Sequence, residues 1–316
     1  MAVEERWQRG FTFLELGAEE IGALLGERVL DVASLSGGLR NTNYRLRLAG
    51  QAEPVVLRLY VAEAEACRRE AALLRLVQDR VPVPRVLRSD PDASPPWMLQ
   101  TFVPGERLDH VLQSASPERV AALCSSAGRH LAAIHAVTFP WAGFFDGQLQ
   151  LLEPLGPAYG WSAMLEGWLS SERVPARLGV ELSQRLLAFV RANRWREAQL
   201  AVSPPSLLHA DYKPWNLLAG EDTVTAVLDW EFAFAGTPMN DLGIFLRYRE
   251  RERPEYTRGF IAGYRDGGGR LPDDWPRLSR LIDLISLCGF LDREQDDPTR
   301  TSDVQQLIAA TLELDG

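Results

Sequence analysis

The sequence predicts an α+β protein of two lobes, a β-rich lobe over residues 1–103 and a mostly helical lobe over residues 104–316. Three observations carry this reading. Apolar residues recur with a period close to two from Val29 to Tyr60 and at helical spacing in the second lobe. A Pro104-Gly105 turn separates the two regimes. A chain of 316 residues is too long for one small core and suits two.

Residues 13–28 alternate apolar and charged side chains at helical spacing and read as an amphipathic helix. Strands are expected at residues 29–35, 43–48 and 54–60, with a break at Ser36-Gly37-Gly38-Leu39-Arg40 and a turn near Gly50. Residues 63–80 form the main helix of this lobe. Its inward stripe is Ala66, Cys67, Leu73, Leu74 and Val77, and Glu70 lies on the same stripe. A carboxylate on an apolar face is costly unless paired, so Glu70 requires a cationic partner. Val81-Pro82-Val83-Pro84 stops the helix. Short strands follow at residues 85–88 and 97–103.

In the second lobe, Ser116-Pro117-Glu118 is a helix start, with Ser as N-cap and Pro in the first turn, and the helix runs to about residue 135. Further helices are expected at residues 161–170, 180–193, 239–249, 256–264, 276–290 and 304–314. Residues 207–229 interrupt them with a loop and short strands.

Apolar residues at 46% and charged residues at 24% are ordinary for a soluble globular chain. The net charge of −9 argues against a nucleic-acid partner and is compatible with a cationic substrate. The first ten residues lack an apolar signal-peptide core. The apolar run at residues 281–291 is interrupted by Asp283, so no membrane span is expected. Cys67, Cys124 and Cys288 are far apart, odd in number and without metal-ligand spacing, which fits a reducing cytoplasm. Oligomeric state is not readable.

The chemistry concentrates in His209-Ala210-Asp211-Tyr212-Lys213-Pro214-Trp215-Asn216, followed by Val227-Leu228-Asp229-Trp230-Glu231. This run brings together two Asp, a Lys and an Asn, the groups needed to move a phosphoryl group from a nucleotide held by Mg²⁺. Lysine and arginine total 34, and Lys213 is the only lysine. A compact ammonium is kept where the rest of the chain uses the planar guanidinium. A lone Asp-x-x-x-x-Asn is a common loop signal and a Gly-Gly pair a common hairpin turn. The ordered set is much more specific.

Residues 207–243 resemble the active-site half of the aminoglycoside phosphotransferase and choline kinase group, small-molecule phosphotransferases of protein-kinase-like fold. The match rests on His209, Asp211, Asn216, Asp229-Trp230-Glu231 and Gly236-Thr237-Pro238-Met239-Asn240-Asp241-Leu242, and with weaker features covers roughly residues 30–270. One departure is Ala210, where the group usually has Gly; a methyl there crowds the loop but removes no catalytic atom.

The resemblance implies roles. Asp211 would accept or orient the proton of the acceptor hydroxyl, and Lys213 would face the migrating phosphate. Asn216 and Asp229 would hold Mg²⁺ through hard oxygen ligands. His209 would brace the loop, as would Asp241, which is also expected to cap the helix that follows; Glu231 stays open between metal contact and solvent. Gly37, Gly38 and Asn41 would cover the nucleotide phosphates with backbone N–H groups. Arg58 stands where kinase-like folds carry a phosphate-binding Lys and is the expected partner of Glu70. Backbone groups of Gln100, Thr101 and Val103 would form the hinge that holds adenine.

The implied function is ATP- or GTP-dependent phosphorylation of a small hydroxylated molecule. Acceptors in view are an aminoglycoside or macrolide, choline, homoserine and a thiosugar. Glu166, Glu172, Asp292, Glu294, Asp296 and Asp297 are candidates to meet an amine, although a solvated helix face is their default role. A protein kinase is disfavoured, because Asp-Phe-Gly and Ala-Pro-Glu segments are missing. A non-catalytic nucleotide-binding module is disfavoured by the intact Asp211, Asn216 and Asp229.

Overall fold

The structure is a computed structural model that describes residues 13–35, 41–61, 64–156, 159–200, 204–249 and 252–313. The expected Gly37 and Gly38 phosphate loop lies outside the described residues.

Helix α1 (Ala18–Leu25) is shorter than its apolar pattern suggests, because glycines punctuate both ends. Gly17 precedes it with its N–H donated to Glu20, and Gly26 at φ 67° ends it in the left-handed conformation. Strands β1 (Val29–Leu35), β2 (Thr42–Leu48), β3 (Val55–Leu59), β4 (Val86–Asp90) and β5 (Trp97–Thr101) pair antiparallel in the order β1-β2-β3-β5-β4. Helix α2 (Ala64–Val77) packs against β4 and β5.

Period-two alternation explains how this sheet serves the site. Val55, Leu57 and Leu59 of β3 point to the side occupied by α1, in a core with Ile21, Leu46, Trp97 and Leu99. Arg58 therefore projects to the opposite side, where α2 turns its stripe inward. Cys67, Leu73, Leu74 and Val77 of that stripe are buried, and Glu70 is buried among them.

Strand β6 (Glu106–Arg107) and the short helix α3 (Leu108–Ser114) follow the Pro104-Gly105 turn. Helix α4 (Pro117–His135) is capped by Ser116, whose hydroxyl accepts from the Arg119 N–H. The chain continues through α5 (Trp161–Leu169), α6 (Arg173–Leu178), α7 (Val180–Asn193) and α8 (Glu197–Leu200). Four short strands then carry the motif region: β7 (Ser206–Leu208), β8 (Leu217–Ala219), β9 (Val224–Val227) and β10 (Phe234–Gly236). Strands β7 and β10 pair with each other, and β6, β8 and β9 form a second small sheet. Helices α9 (Met239–Phe245), α10 (Pro254–Asp266), α11 (Trp275–Leu291) and α12 (Pro298–Leu312) complete the chain.

Two ends differ from the pattern-based expectation. Helix α9 stops at Phe245 rather than 249, and Arg247 beyond it forms a buried two-pronged ion pair with Asp283 of α11, at 2.9 and 2.7 Å. Helix α12 begins six residues earlier than its apolar periodicity, because Asp297 accepts from the N–H groups of Thr299 and Arg300 with Pro298 in the first turn.

Helices α4 and α10 cross at backbone contact. A Cβ on Gly128 would fall 2.1 Å from the Phe260 carbonyl oxygen, and one on Gly263 1.9 Å from that of Ser125. Only glycine fits at these two positions. The close crossing brings Tyr264 of α10 onto His135 at the end of α4, with 2.8 Å between hydroxyl and Nδ1.

Candidate active site

The loop from His209 to Asn216 hangs between β7 and β8 and is held from below by one buried carboxylate. Asp241, fully buried in the first turn of α9, accepts from the backbone N–H groups of His209 at 2.8 Å and Ala210 at 2.7 Å. Its Oδ2 also lies 3.1 Å from His135 Nε2. Asp241 therefore does not cap α9, whose N-cap is Pro238; it fixes the two peptides that precede Asp211. His209 is buried too. Its Nε2 meets the Leu228 carbonyl at 2.9 Å, its Nδ1 accepts from the Asp211 N–H at 3.3 Å, and its ring packs on Trp230. Tyr212 sends its hydroxyl down to the Ala127 carbonyl of α4 at 2.7 Å. The expected site did not include His135, Tyr212 or Tyr264; the sequence signal for His135 is a polar residue at the end of the apolar face of α4, which also buries Ser126.

This bracing turns the polar side chains into the cleft. Lys213 Nζ lies 3.0 Å from Asp211 Oδ1, and Asn216 Nδ2 donates to Asp211 Oδ2 at 2.8 Å and to its carbonyl at 2.9 Å. With its amide N–H₂ so committed, Asn216 keeps Oδ1 as an acceptor. A single turn of 3₁₀ helix over Pro214–Asn216 sets this geometry, and Arg107 stacks over the Trp215 ring at 3.5 Å.

Asp229 enters from the other side, after β9. Arg58 bridges the lobes to reach it: NH2 lies 2.5 Å from Asp229 Oδ1 and 3.9 Å from Glu231 Oε2, while Nε lies 3.1 Å from Glu70 Oε2. Glu70 accepts further from the Tyr60 hydroxyl at 2.8 Å and the Trp230 N–H at 3.3 Å. The inward carboxylate of α2 thus has the partner its burial demands, and that partner also holds Asp229. Glu231 does not face solvent; its side chain is 8% exposed and accepts from Asn41 Nδ2 at 2.9 Å. The side chain of Asn41 is consequently turned to Glu231, a link between the lobes.

Electrostatics follow from this packing. Burial disfavours charge on Asp229, but the Arg58 guanidinium, with His209 and Lys213 behind it, holds its carboxyl below the ordinary value. Burial pushes Glu70 up, against the pull of Arg58. Arg58 itself is held well above its ordinary value, because Glu70 and Asp229 outweigh the cost of its burial.

Two residues of the site occupy the left-handed region without being glycine, Ala210 at φ 61° and Asp229 at φ 68°. Such conformations cost L-residues about 1–2 kcal/mol and persist where the surroundings enforce them, often at functional sites. Ala210→Gly is therefore expected to stabilise the protein by about 0.5 kcal/mol net, after the greater unfolded-state freedom of glycine is subtracted. Thermal unfolding should show a Tm rise of about 1–2 °C; an unchanged or lower Tm would mean that the loop carries no strain at Ala210.

The expected hinge residues lie at the end of β5. Gln100 pairs with Val56 and Val86, and the Thr101 N–H is committed to the Arg85 carbonyl at 3.0 Å, which leaves Val103, beyond the strand, as the expected hinge residue clear of the sheet. The acidic residues expected to meet an amine are largely occupied. Glu166 pairs with Arg194 and Arg191 at 3.0 and 3.7 Å, Asp292 lies 3.9 Å from Arg173, Asp296 lies 3.3 Å from Arg177, and Asp297 is the cap of α12.

No group of three or more His, Cys, Asp or Glu among the described residues could hold a metal by itself. Asp229 and the Asn216 amide nevertheless carry oxygen donors of the hard kind that Mg²⁺ takes together with water and phosphate oxygens. No helix of the described residues is long and apolar enough to cross a membrane.

Three solved structures have the same fold over nearly the whole chain. One is a thermostable mutant of aminoglycoside phosphotransferase APH(4)-Ia in a ternary complex with ADP and hygromycin B (17% identity, 94% of this chain and 97% of that one, TM-score 0.65). Another is macrolide 2′-phosphotransferase MphH from Brachybacterium faecium (21% identity, 92% and 95%, TM-score 0.64). The third is the streptomycin–ATP–APH(2″)-IIa ternary complex (16% identity, 96% and 99%, TM-score 0.65). No curated protein matches the chain in sequence. Residues 31–281 match the phosphotransferase enzyme family, and the protein-kinase-like α+β fold agrees, so the chain belongs to that family.

Proposed function

We propose that this phosphotransferase moves the γ-phosphate of ATP or GTP to a hydroxyl of a small molecule, with Asp211 as the group that takes the hydroxyl proton. The observation that carries the reading is the contact set of Asp211 with Lys213 and Asn216 on one loop, facing an Asp229 that Arg58 ties to Glu70. ADP or ATP occupies the first and third of the solved structures described above.

The acceptor oxygen forms its bond to the γ-phosphorus while the bond between that phosphorus and the β,γ-bridging oxygen breaks, the hydroxyl proton passes to an Asp211 oxygen, and the nucleoside diphosphate leaves. Asn216 holds Oδ2 of Asp211 in place, which leaves Oδ1 for the proton. Lys213, now on Oδ1, exchanges this contact for the γ-phosphate and offsets its charge. Asn216 and Asp229 are the residues that would hold Mg²⁺, which neutralises phosphate charge when bound. Arg58 keeps Asp229 ionised and oriented, and Glu70 keeps Arg58 in place. Among the described residues the cysteines are free thiols and buried, which supports a cytoplasmic protein.

The test is binding of ATP and GTP by calorimetry with and without Mg²⁺, for wild type and Asp229→Asn. Mg²⁺-dependent binding that weakens at least about tenfold in the variant, about 1.4 kcal/mol, supports the assignment. Binding that ignores both Mg²⁺ and the substitution would remove the metal role of Asp229, and no nucleotide binding would remove the kinase reading.

A further inference from the structure

An aromatic face lies open beside the phosphoryl-transfer loop. Phe234 of β10 pairs with Leu208 of β7, three residues before Asp211, so the two backbones are separated by no more than about 11 Å of chain beyond that pair. Phe144, 47% exposed, packs its ring on Phe234 at 5.5 Å and on Tyr159, 50% exposed, at 6.2 Å. The loop that carries Phe144 is fastened to β10 by reciprocal backbone hydrogen bonds between Gly143 and Ala235, at 3.0 and 2.9 Å. Trp141 and Leu152 extend the face, 41% and 53% exposed, and the Trp141 Nε1–H is tied to the Leu152 carbonyl at 3.3 Å. Single exposed apolar residues are ordinary; a contiguous set linked by ring contacts next to a reaction centre is not.

Charge points the same way. A polycationic acceptor needs several uncompensated carboxylates, and four of the six acidic residues considered for that task are engaged: Glu166, Asp292 and Asp296 face arginines and Asp297 is the cap of α12, which leaves Glu172 and Glu294 outside these contacts.

We propose that the acceptor is a hydroxyl compound with a broad apolar or aromatic face and at most one positive charge, stacked on Phe144, Phe234 and Tyr159 so that its hydroxyl reaches Asp211. This rests on the phosphotransferase reading above and specifies its substrate class. Stacking orients such a ligand without charge, and its contribution is present in ground state and transition state alike.

The experiment measures phosphate transfer from ATP with Mg²⁺ to erythromycin, p-nitrophenyl glucoside and hygromycin B, for wild type and for Phe144→Ser/Tyr159→Ser. Both positions are half exposed, so the variant keeps the fold, which circular dichroism checks. The expected result is transfer to an apolar-faced acceptor but not to hygromycin B, with KM raised about tenfold in the variant and kcat within about twofold. Transfer to hygromycin B, an unchanged KM in the variant, or silence on both apolar-faced acceptors while Mg–ATP still binds would overturn the substrate class and leave the phosphotransferase reading standing. Self-association in sedimentation that the double substitution abolishes would assign the face to a second copy and overturn the proposal. Wild type that binds no nucleotide would instead bring down the underlying reading.

Discussion

Asp211→Ala is expected to lower kcat by about 10³-fold while the affinity for Mg–ATP stays within about threefold. The asymmetry follows from where Asp211 stands. Its oxygens contact Lys213 and Asn216 of its own loop, and the route to Asp229 runs through Arg58 rather than through Asp211. Nucleotide and metal therefore lose little when it goes, whereas the acceptor hydroxyl loses the group that receives its proton. Asp211→Asn keeps the shape and the hydrogen bond to the loop but cannot take the proton. A comparable loss in both variants would mark proton acceptance as the larger part of the effect; recovery in Asp211→Asn would mark orientation. Single-turnover transfer and calorimetry on the same samples separate chemistry from binding. A kcat within about tenfold of wild type in Asp211→Ala would end the assignment.

The site was legible in the sequence to the extent that it is local. Asp211, Lys213 and Asn216 span six residues, and their mutual contacts are set by one loop and a single helical turn. Glu70 was legible for a different reason, because a carboxylate at helical spacing among Ala66, Cys67, Leu73 and Leu74 demands a cation, and Arg58 alternates away from the Leu57 and Leu59 core. What was not legible is the second use of Arg58. The distances to Asp229 and Glu231 join residues more than 170 positions apart, and no periodicity encodes which carboxylates a guanidinium fork will share. Asp241 was expected to brace the loop, but the backing it receives from His135 and Tyr264 was hidden, since it depends on a glycine-lined crossing of α4 and α10. The short helices α3, α6 and α8 escaped notice because one or two turns hold too few apolar positions to display a period. The acidic residues of the helical lobe misled because sequence shows their charge and conceals the arginines that fold onto them.

Arg58→Met should be the most destabilising single change at the site, by about 3–5 kcal/mol, because it removes the cation shared by buried carboxylates. Arg58 is 7% exposed and Glu70 2% exposed, so water cannot replace the lost contacts without opening the interface between β3 and α2. Adding Glu70→Leu to Arg58→Met is expected to restore a large part of the loss, since an apolar pair of similar volume avoids the cost of desolvating charge. Nucleotide binding should not return with the stability, because Asp229 still lacks the group that keeps it ionised. Acid dependence supplies an independent check. In wild type, Asp229 is held low by Arg58, so its contribution is present above the ordinary carboxyl range and is lost as pH falls through its folded value. Glu70 is pushed up by burial, so its contribution has the opposite sign and grows as pH falls through its own raised value. The two act in different ranges, Glu70 above the ordinary carboxyl value and Asp229 below it. Without Arg58, burial remains the largest influence on both carboxyls and moves both upward, opposed at Asp229 only by His209 and Lys213 and at Glu70 only by the Tyr60 and Trp230 hydrogen bonds. Urea unfolding of Arg58→Met should therefore show stability rising more steeply than wild type as pH falls from about 8 to about 5. Parallel curves for the two proteins would mean that Arg58 does not set the ionisation of this cluster, and that Asp229 owes its charge to Lys213 and His209 instead.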